Sequence, residues 1–142
     1  MNIVWGIVIG VLSLLCWGGQ AISWLAPSSA ERLKLTESER AVEPIYHTWS
    51  RGEAMWDSLT LWTMLVAAVL LVLDNQAWAY FGLVGGGMYT YFAGLGIITR
   101  LAMEGRGFRI GEDVKTAYVF LALWGFAGAV TIGAAVVALS TS

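Results

Sequence analysis

The sequence predicts an all-α, polytopic membrane protein: a bundle of four transmembrane helices with a long polar loop between the first and second. Of its 142 residues, 58% are hydrophobic and 13% are charged, whereas about a quarter of residues are charged in an average soluble domain. The apolar residues form four runs, and each run is long enough to cross the ~30 Å apolar core of a bilayer as a helix. These predicted spans are residues 3–25, 51–73, 77–101 and 116–139, within a single integral membrane domain over residues 1–142.

The first run, residues 3–25, differs from a signal peptide although it lies near the N-terminus. No basic segment precedes it, and it is longer than the apolar part of a typical signal peptide. We therefore predict a retained transmembrane helix. Cys16, within this run, is the single cysteine of the chain, which excludes an internal disulfide and a cysteine zinc site.

A polar connection, residues 26–50, follows the first run. Pro27 ends the first predicted helix, and Pro44 marks a further break. Ser50 and Glu53 have the Ser-x-x-Glu spacing of a capping box, which places the start of the second long helix at about Arg51. Polar residues at this density are expected to stay at the membrane surface.

Small residues recur at helical spacing on the third and fourth runs. Such faces allow helices in lipid to approach closely, and the two faces are expected to meet either within or between protomers. The predicted packing positions are Gly82, Gly86, Thr90 and Gly94 on the third run and Gly125 and Gly133 on the fourth.

All eight basic residues lie in or beside two connections, residues 26–50 and 102–115. With four spans, these connections share one side of the membrane, and the positive-inside rule predicts that this side is cytoplasmic. Both termini are then expected outside, in a bacterial inner or plasma membrane. The basic residues form no continuous stripe, so nucleic acid is not an expected partner.

Charged and tyrosine side chains near the connections are candidates for contact with a ligand or a lipid headgroup. Counting outward from the predicted turn at 74–76 places Asp57 level with residues 89–96. Asp57 is the deepest carboxylate, either functional within the membrane or an interfacial residue at a helix N-terminus. The candidates are Arg51, Glu53, Asp57, Tyr89, Tyr91 and Arg100.

The same count places Arg100 near the start of the second long helix. Two interpretations follow: an ion pair between Arg100 and Glu53, or an anion or headgroup site that Arg51 and Arg100 form together. His47 is the only histidine, and one imidazole without a fixed second ligand does not predict a metal site.

Arg51 followed by Asp57, and Leu83-Val84-Gly85 on the third run, carry a family resemblance. With the four-span layout, they are similar to the MAPEG family, membrane-associated proteins of eicosanoid and glutathione metabolism. The resemblance implies a glutathione-dependent membrane enzyme with a cytoplasmic-side site between protomers. No asparagine lies between Arg51 and Asp57, where that family has one, so this stays an alternative.

Three classes of function remain. The favoured one is a small inner-membrane protein without catalytic activity: a helix-packing or accessory subunit, or a binder of lipid or another hydrophobic small molecule. It would act with membrane lipid, as a homo-oligomer or with a membrane partner subunit, and needs no cofactor or metal. The alternatives are the glutathione-dependent enzyme and an oligomeric transporter or channel protomer.

Overall fold

The computed structural model describes residues 2–141, and this part of the chain is helical with no strand. Among these described residues, four stretches are long and apolar enough to cross a membrane, namely Ile3–Leu25, Pro44–Val72, Trp78–Gly105 and Val114–Ser140. The predicted all-α fold with four spans is therefore confirmed. The helices are α1 (Asn2–Leu25), α2 (Pro27–Arg32), α3 (Pro44–Thr60), α4 (Trp62–Val72), α5 (Trp78–Gly105) and α6 (Val114–Ser140).

The second span begins earlier than the sequence pattern predicted. Pro44 occupies the first turn of α3, seven residues before Arg51, because the fixed φ of proline suits this position and its missing N–H is not needed there. The predicted capping box is wrong: Ser50 lies inside α3, and its hydroxyl donates to the His47 carbonyl at 3.0 Å.

Other boundaries also differ from the prediction. The short helix α2 lies within the predicted loop 26–50 and also begins with a proline. The third span continues to Gly105, and the fourth begins at Val114. The polar connections are therefore reduced to residues 33–43 and 106–113.

A one-residue break at Leu61 separates α3 from α4. Hydroxyl groups just before it donate to carbonyls of the preceding turn, Ser58 to Ala54 at 2.6 Å and Thr60 to Trp56 at 2.9 Å. Hydrogen bonds of this type tend to bend helices. The two helices together form one span with a local irregularity at Leu61.

Helix α5 packs between α4 and α6, and α1 packs against α3 and α4. Glycine permits the closest approaches. A Cβ atom at Gly86 would lie 2.7 Å from the Gly128 carbonyl oxygen of α6, and one at Gly85 would lie 2.7 Å from the Met64 backbone of α4. Both neighbours of α5 therefore contact its backbone.

The predicted small-residue faces of α5 and α6 meet within this chain, but only in part. Gly82, Gly86 and Gly125 pack between the two helices, whereas a Cβ atom at Gly94 or Gly133 would meet nothing within 4 Å. The reason is geometric: four residues turn a helix by about 400°, so each four-residue step moves the face by about 40°. The last members of each series have rotated out of the contact.

The connections 33–43 and 106–113 contact each other at one end of the bundle, here called the connection end. The Glu43 N–H donates to the Arg109 carbonyl at 2.8 Å, and the Glu112 N–H donates to the Glu37 carboxylate at 3.2 Å. The opposite end, called the turn end, holds the short link between α4 and α5. The antiparallel order of the four spans explains this arrangement.

Candidate functional site

Three charged side chains meet inside the bundle, and we call them the buried charge cluster: Glu53 and Asp57 on α3 and Arg100 on α5. Glu53 and Asp57 are four residues apart, so they lie on one face of α3. The Arg100 Nη2 atom is 3.9 Å from the Glu53 Oε2 atom, and their side chains are 14% and 9% exposed. The ion pair expected from the sequence is therefore present.

The Arg100 guanidinium is enclosed by groups of the same chain. Its Nη1 atom donates to the Gly96 carbonyl at 3.0 Å. Its central carbon lies 5.8 Å from the ring centroid of Tyr46 and 5.3 Å from that of Trp49, distances at which a cation is attracted to an aromatic face. Arg100 is thus engaged internally, which favours the ion pair over an anion site shared with Arg51.

Asp57 is the most buried member of the cluster, with 5% of its surface exposed. Its Oδ2 atom is buried without a hydrogen-bond partner in the described part of the chain, and the same holds for the Glu53 Oε1 atom. A buried polar atom left without a partner is unfavourable, and such atoms are few in folded proteins. The cluster therefore contains two acceptor atoms that no donor among residues 2–141 satisfies.

The position of Asp57 along the membrane span can be measured from a contact of its neighbour Ser58. The Trp17 indole N–H of α1 donates to the Ser58 carbonyl at 2.9 Å. Trp17 is eight residues from Leu25, the end of α1, which corresponds to about 12 Å along a helix. Asp57 therefore lies well inside the span, because α3 extends seven residues farther toward the connection end than predicted.

Tyr89 borders the cluster from α5. It is 1% exposed, its hydroxyl donates to the Ser13 carbonyl of α1 at 3.4 Å, and it contacts the Cys16 thiol. Cys16 in turn lies near Asp57. Tyr89 therefore links α5 to α1 beside the carboxylates and is closed to a ligand from outside.

The other two candidates lie apart from the cluster. Tyr91 is 60% exposed on the outward side of α5. Arg51 is half-buried and forms no ion pair with any residue between 2 and 141. The structure thus brings together Glu53, Asp57 and Arg100, with Tyr89 beside them, and leaves Tyr91 and Arg51 outside.

Sequence reasoning missed the aromatic residues around Arg100. Tyr46, Trp49, Glu53 and Asp57 are spaced by three, four and four residues, which is the spacing of one helix face. This signal was present in the sequence, but it could be read only if the helix started at Pro44. A start at Arg51 left Tyr46 and Trp49 in a loop.

No group of three or more His, Cys, Asp or Glu side chains that could hold a metal ion occurs among residues 2–141. What the cluster offers chemically is an excess of acceptors: two carboxylates face one guanidinium. Comparison of the chain with protein-family models, with curated proteins and with solved structures found no match.

Proposed function

We propose that this chain is a small, non-catalytic membrane protein that acts by association within the bilayer, as an accessory subunit that pairs with a second copy of itself. The observation that carries this proposal is the outward face of α5. Intramolecular packing leaves this face uncovered, and it combines open glycine positions with a tyrosine at the middle of the span.

Tyr91 is the central residue of that face. It lies 13 residues from Trp78 and 14 from Gly105, the two ends of α5, and it is 60% exposed. Its hydroxyl makes no hydrogen bond to the described residues. In the bilayer core, where water is scarce, a phenol without an acceptor is unfavourable, so a partner helix that supplies an acceptor would be stabilising.

Gly87 and Gly94 flank Tyr91 and give a second helix room to approach. A Cβ atom at either glycine would meet nothing within 4 Å. Small residues that expose the backbone are enriched where helices associate in membranes. A second copy is the proposed occupant, because the same face on two chains can place each Tyr91 beside the exposed backbone of the other.

The buried charge cluster is closed to glutathione, because the Arg100 side chain is 14% exposed and paired with Glu53. Arg51 is half-buried and has no ion pair among the described residues, so the glutathione alternative would depend on Arg51 alone. We therefore expect glutathione at millimolar concentration to leave the thermal unfolding of the protein unchanged. A stabilisation that Arg51→Ala or Arg100→Ala abolished would instead support the enzyme.

The experiment for self-association measures the oligomeric state in lipid nanodiscs or dilute proteoliposomes, by energy transfer between labelled copies. Gly87→Leu is expected to weaken association at least tenfold, because its side chain would fill the space for the partner. Tyr91→Phe removes one hydrogen bond from each chain, hence two from the pair, which corresponds to about 1.2 kcal/mol, or roughly eightfold. Val69→Leu, on the exposed side of α4, is the matched control.

A wild-type protein that stays monomeric at high protein-to-lipid ratio would overturn the proposal, because it has no partner of its own sequence. Equal association of wild type and Gly87→Leu would show that the pairing surface is elsewhere.

One observation favours a second candidate, the transporter or channel protomer. Ionisable residues inside a span often belong to ion or proton pathways, and Asp57 lies about 12 Å from the end of α1 by the register of Trp17. Ion flux into proteoliposomes that is lost in Asp57→Asn would support this candidate. The absence of flux with the wild type would exclude it.

A further inference from the structure

The charges inside the bundle do not balance. If the buried charge cluster were fully ionised, two carboxylates would face one guanidinium, leaving one excess negative charge. The helices packed against α3 supply no second cation at this position: α1 contributes the Cys16 thiol, α5 contributes Arg100 and Tyr89, and α4 has no ionisable side chain. An unbalanced charge away from water is strongly unfavourable.

The cluster also has more hydrogen-bond acceptors than donors. Glu53 Oε1 and Asp57 Oδ2 are both buried acceptors without a donor in the described structure. Three nearby hydroxyls are already used: Tyr89 donates to the Ser13 carbonyl, Ser58 to the Ala54 carbonyl, and Ser13 to the Ile9 carbonyl. The Tyr46 hydroxyl, beside Arg100, donates to neither of the two unpartnered oxygens. One added positive charge that is also a donor would correct both deficits.

We propose that Glu53 and Asp57 form a proton-binding site that holds one proton between their two carboxyl groups. The proton bonds to one carboxylate oxygen and is donated in a hydrogen bond to the other, so the net charge of the cluster changes from −1 to 0. Positions four apart on a helix bring the two side chains to the same face, and each of them has one buried oxygen without a partner in the described structure.

The donor set favours a proton over a metal ion. Hard metal cations such as Ca²⁺ and Mg²⁺ take six or more oxygen ligands, whereas the two atoms left without a partner here are one oxygen from each carboxylate. A proton needs one oxygen to bond and one to accept. The Glu53 side chain is closer to the connection end, so it is the member through which a proton would enter from water.

This inference does not depend on self-association, since the cluster lies inside one chain and Tyr91 lies outside it. Its test is infrared difference spectroscopy of the protein in nanodiscs between mildly acidic and alkaline pH. The expected result is the carbonyl band of a protonated carboxylic acid that persists at neutral pH, where exposed carboxylates are ionised. Deuterium exchange should shift this band.

Substitutions of the two carboxyl residues test whether the infrared band belongs to them. Asp57→Asn and Glu53→Gln keep the size of each side chain but cannot share the proton, so each is expected to abolish the neutral-pH band. Asp74→Asn is the control, since Asp74 is exposed at the turn end and its positive φ of 54° suits asparagine. Circular dichroism confirms that each variant keeps its helix content.

Two results would overturn the proposal. The first is a wild-type spectrum without a carboxylic acid band at neutral pH, which needs no variant to fold. The second is a change in the carboxylate bands with sodium concentration at constant pH, which would assign the site to a metal cation.

Discussion

Gly85 and Gly87 lie two residues apart on α5 but have opposite surroundings. A Cβ atom at Gly85 would lie 2.7 Å from both the Cα and the N of Met64, whereas one at Gly87 would meet nothing within 4 Å. Backbone atoms cannot move aside by changing a rotamer. The role of each glycine is therefore set by the neighbouring helix.

This contrast predicts different effects of one methyl group. Gly85→Ala should lower the free energy of unfolding by about 1–3 kcal/mol through overpacking, and Gly87→Ala should leave it unchanged or raise it by up to about 1 kcal/mol, because alanine favours helix. Thermal or denaturant unfolding in the same detergent measures both. Equal effects of the two substitutions would contradict the close α4–α5 approach.

Arg100 and Glu53 permit a second prediction at this scale. Removing one member of a buried pair leaves the other uncompensated, so Arg100→Gln should destabilise the protein by about 3 kcal/mol. Adding Glu53→Gln should restore at least about 1 kcal/mol of this loss, because the stranded carboxylate is gone. The measurement is a double-mutant cycle of unfolding free energies.

Arg109 and Glu43 provide the comparison for that cycle. Their pair is 3.4 Å apart, but the Arg109 side chain is 66% exposed. Arg109→Gln should therefore cost about 1 kcal/mol or less. Additive effects of Arg100→Gln and Glu53→Gln would show that the buried pair contributes nothing specific.

At the scale of elements, the depth of Asp57 depends on where α3 begins. Ser50 and Glu53 match a capping box in sequence, yet Pro44 starts the helix and Ser50 lies within it. The Ser-x-x-Glu spacing is compatible with a helix N-terminus at Ser50. The helix begins seven residues before Arg51 instead, because Pro44 suits a first turn and the residues between them are also compatible with a helix. The sequence pattern therefore predicted the helix but not its first two turns.

Hydrogen bonds from indole and phenol groups to backbone carbonyls connect helix α1 with its neighbours. Trp17 donates to Ser58 of α3 at 2.9 Å, and Trp124 of α6 donates to Leu12 of α1 at 3.2 Å. The glycine faces predicted α5 and α6 as partners, because close approach leaves a compositional pattern. One hydrogen bond such as that of Trp17 leaves no pattern in the composition, so the position of α1 could not be predicted.

Trp17→Phe tests that link and keeps an aromatic ring at this position. It removes the donor and leaves the Ser58 carbonyl without this bond, so the free energy of unfolding should fall by about 1 kcal/mol. The matched control is Trp56→Phe, since Trp56 is 56% exposed on α3, and its effect should be smaller by at least half. Unfolding in one detergent compares the two, and equal losses would exclude the α1–α3 bond.

At the scale of the whole molecule, the four spans could be predicted because each depends on its own length and hydropathy, independently of tertiary contacts. The buried charge cluster could be predicted only in part. Counting from the turn at 74–76 correctly paired Arg100 with Glu53. The two acceptors without a donor could not be predicted. Their surroundings are formed by three helices, α1, α3 and α5, and no local sequence pattern describes such an arrangement.

The distribution of charge also predicts an orientation of the molecule in a membrane. The chain has two lysines, Lys34 and Lys115, one in each connection or at its edge, and the connections contact each other. Basic residues near spans favour the cytoplasmic side. An amine-reactive reagent that cannot cross membranes should therefore modify both lysines in inverted vesicles and neither in intact spheroplasts.

Gln76→Lys supplies the internal reference for that experiment, because Gln76 is exposed at the turn end. The new amine should be modified from outside intact spheroplasts while Lys34 and Lys115 stay protected, since four antiparallel spans place the turn and the connections on opposite faces. Mass spectrometry of the modified peptides reads the three positions separately. Lys34 and Lys115 modified from opposite sides would rule out an even number of crossings between them, and with it the four-span arrangement on which the depth of Asp57 rests.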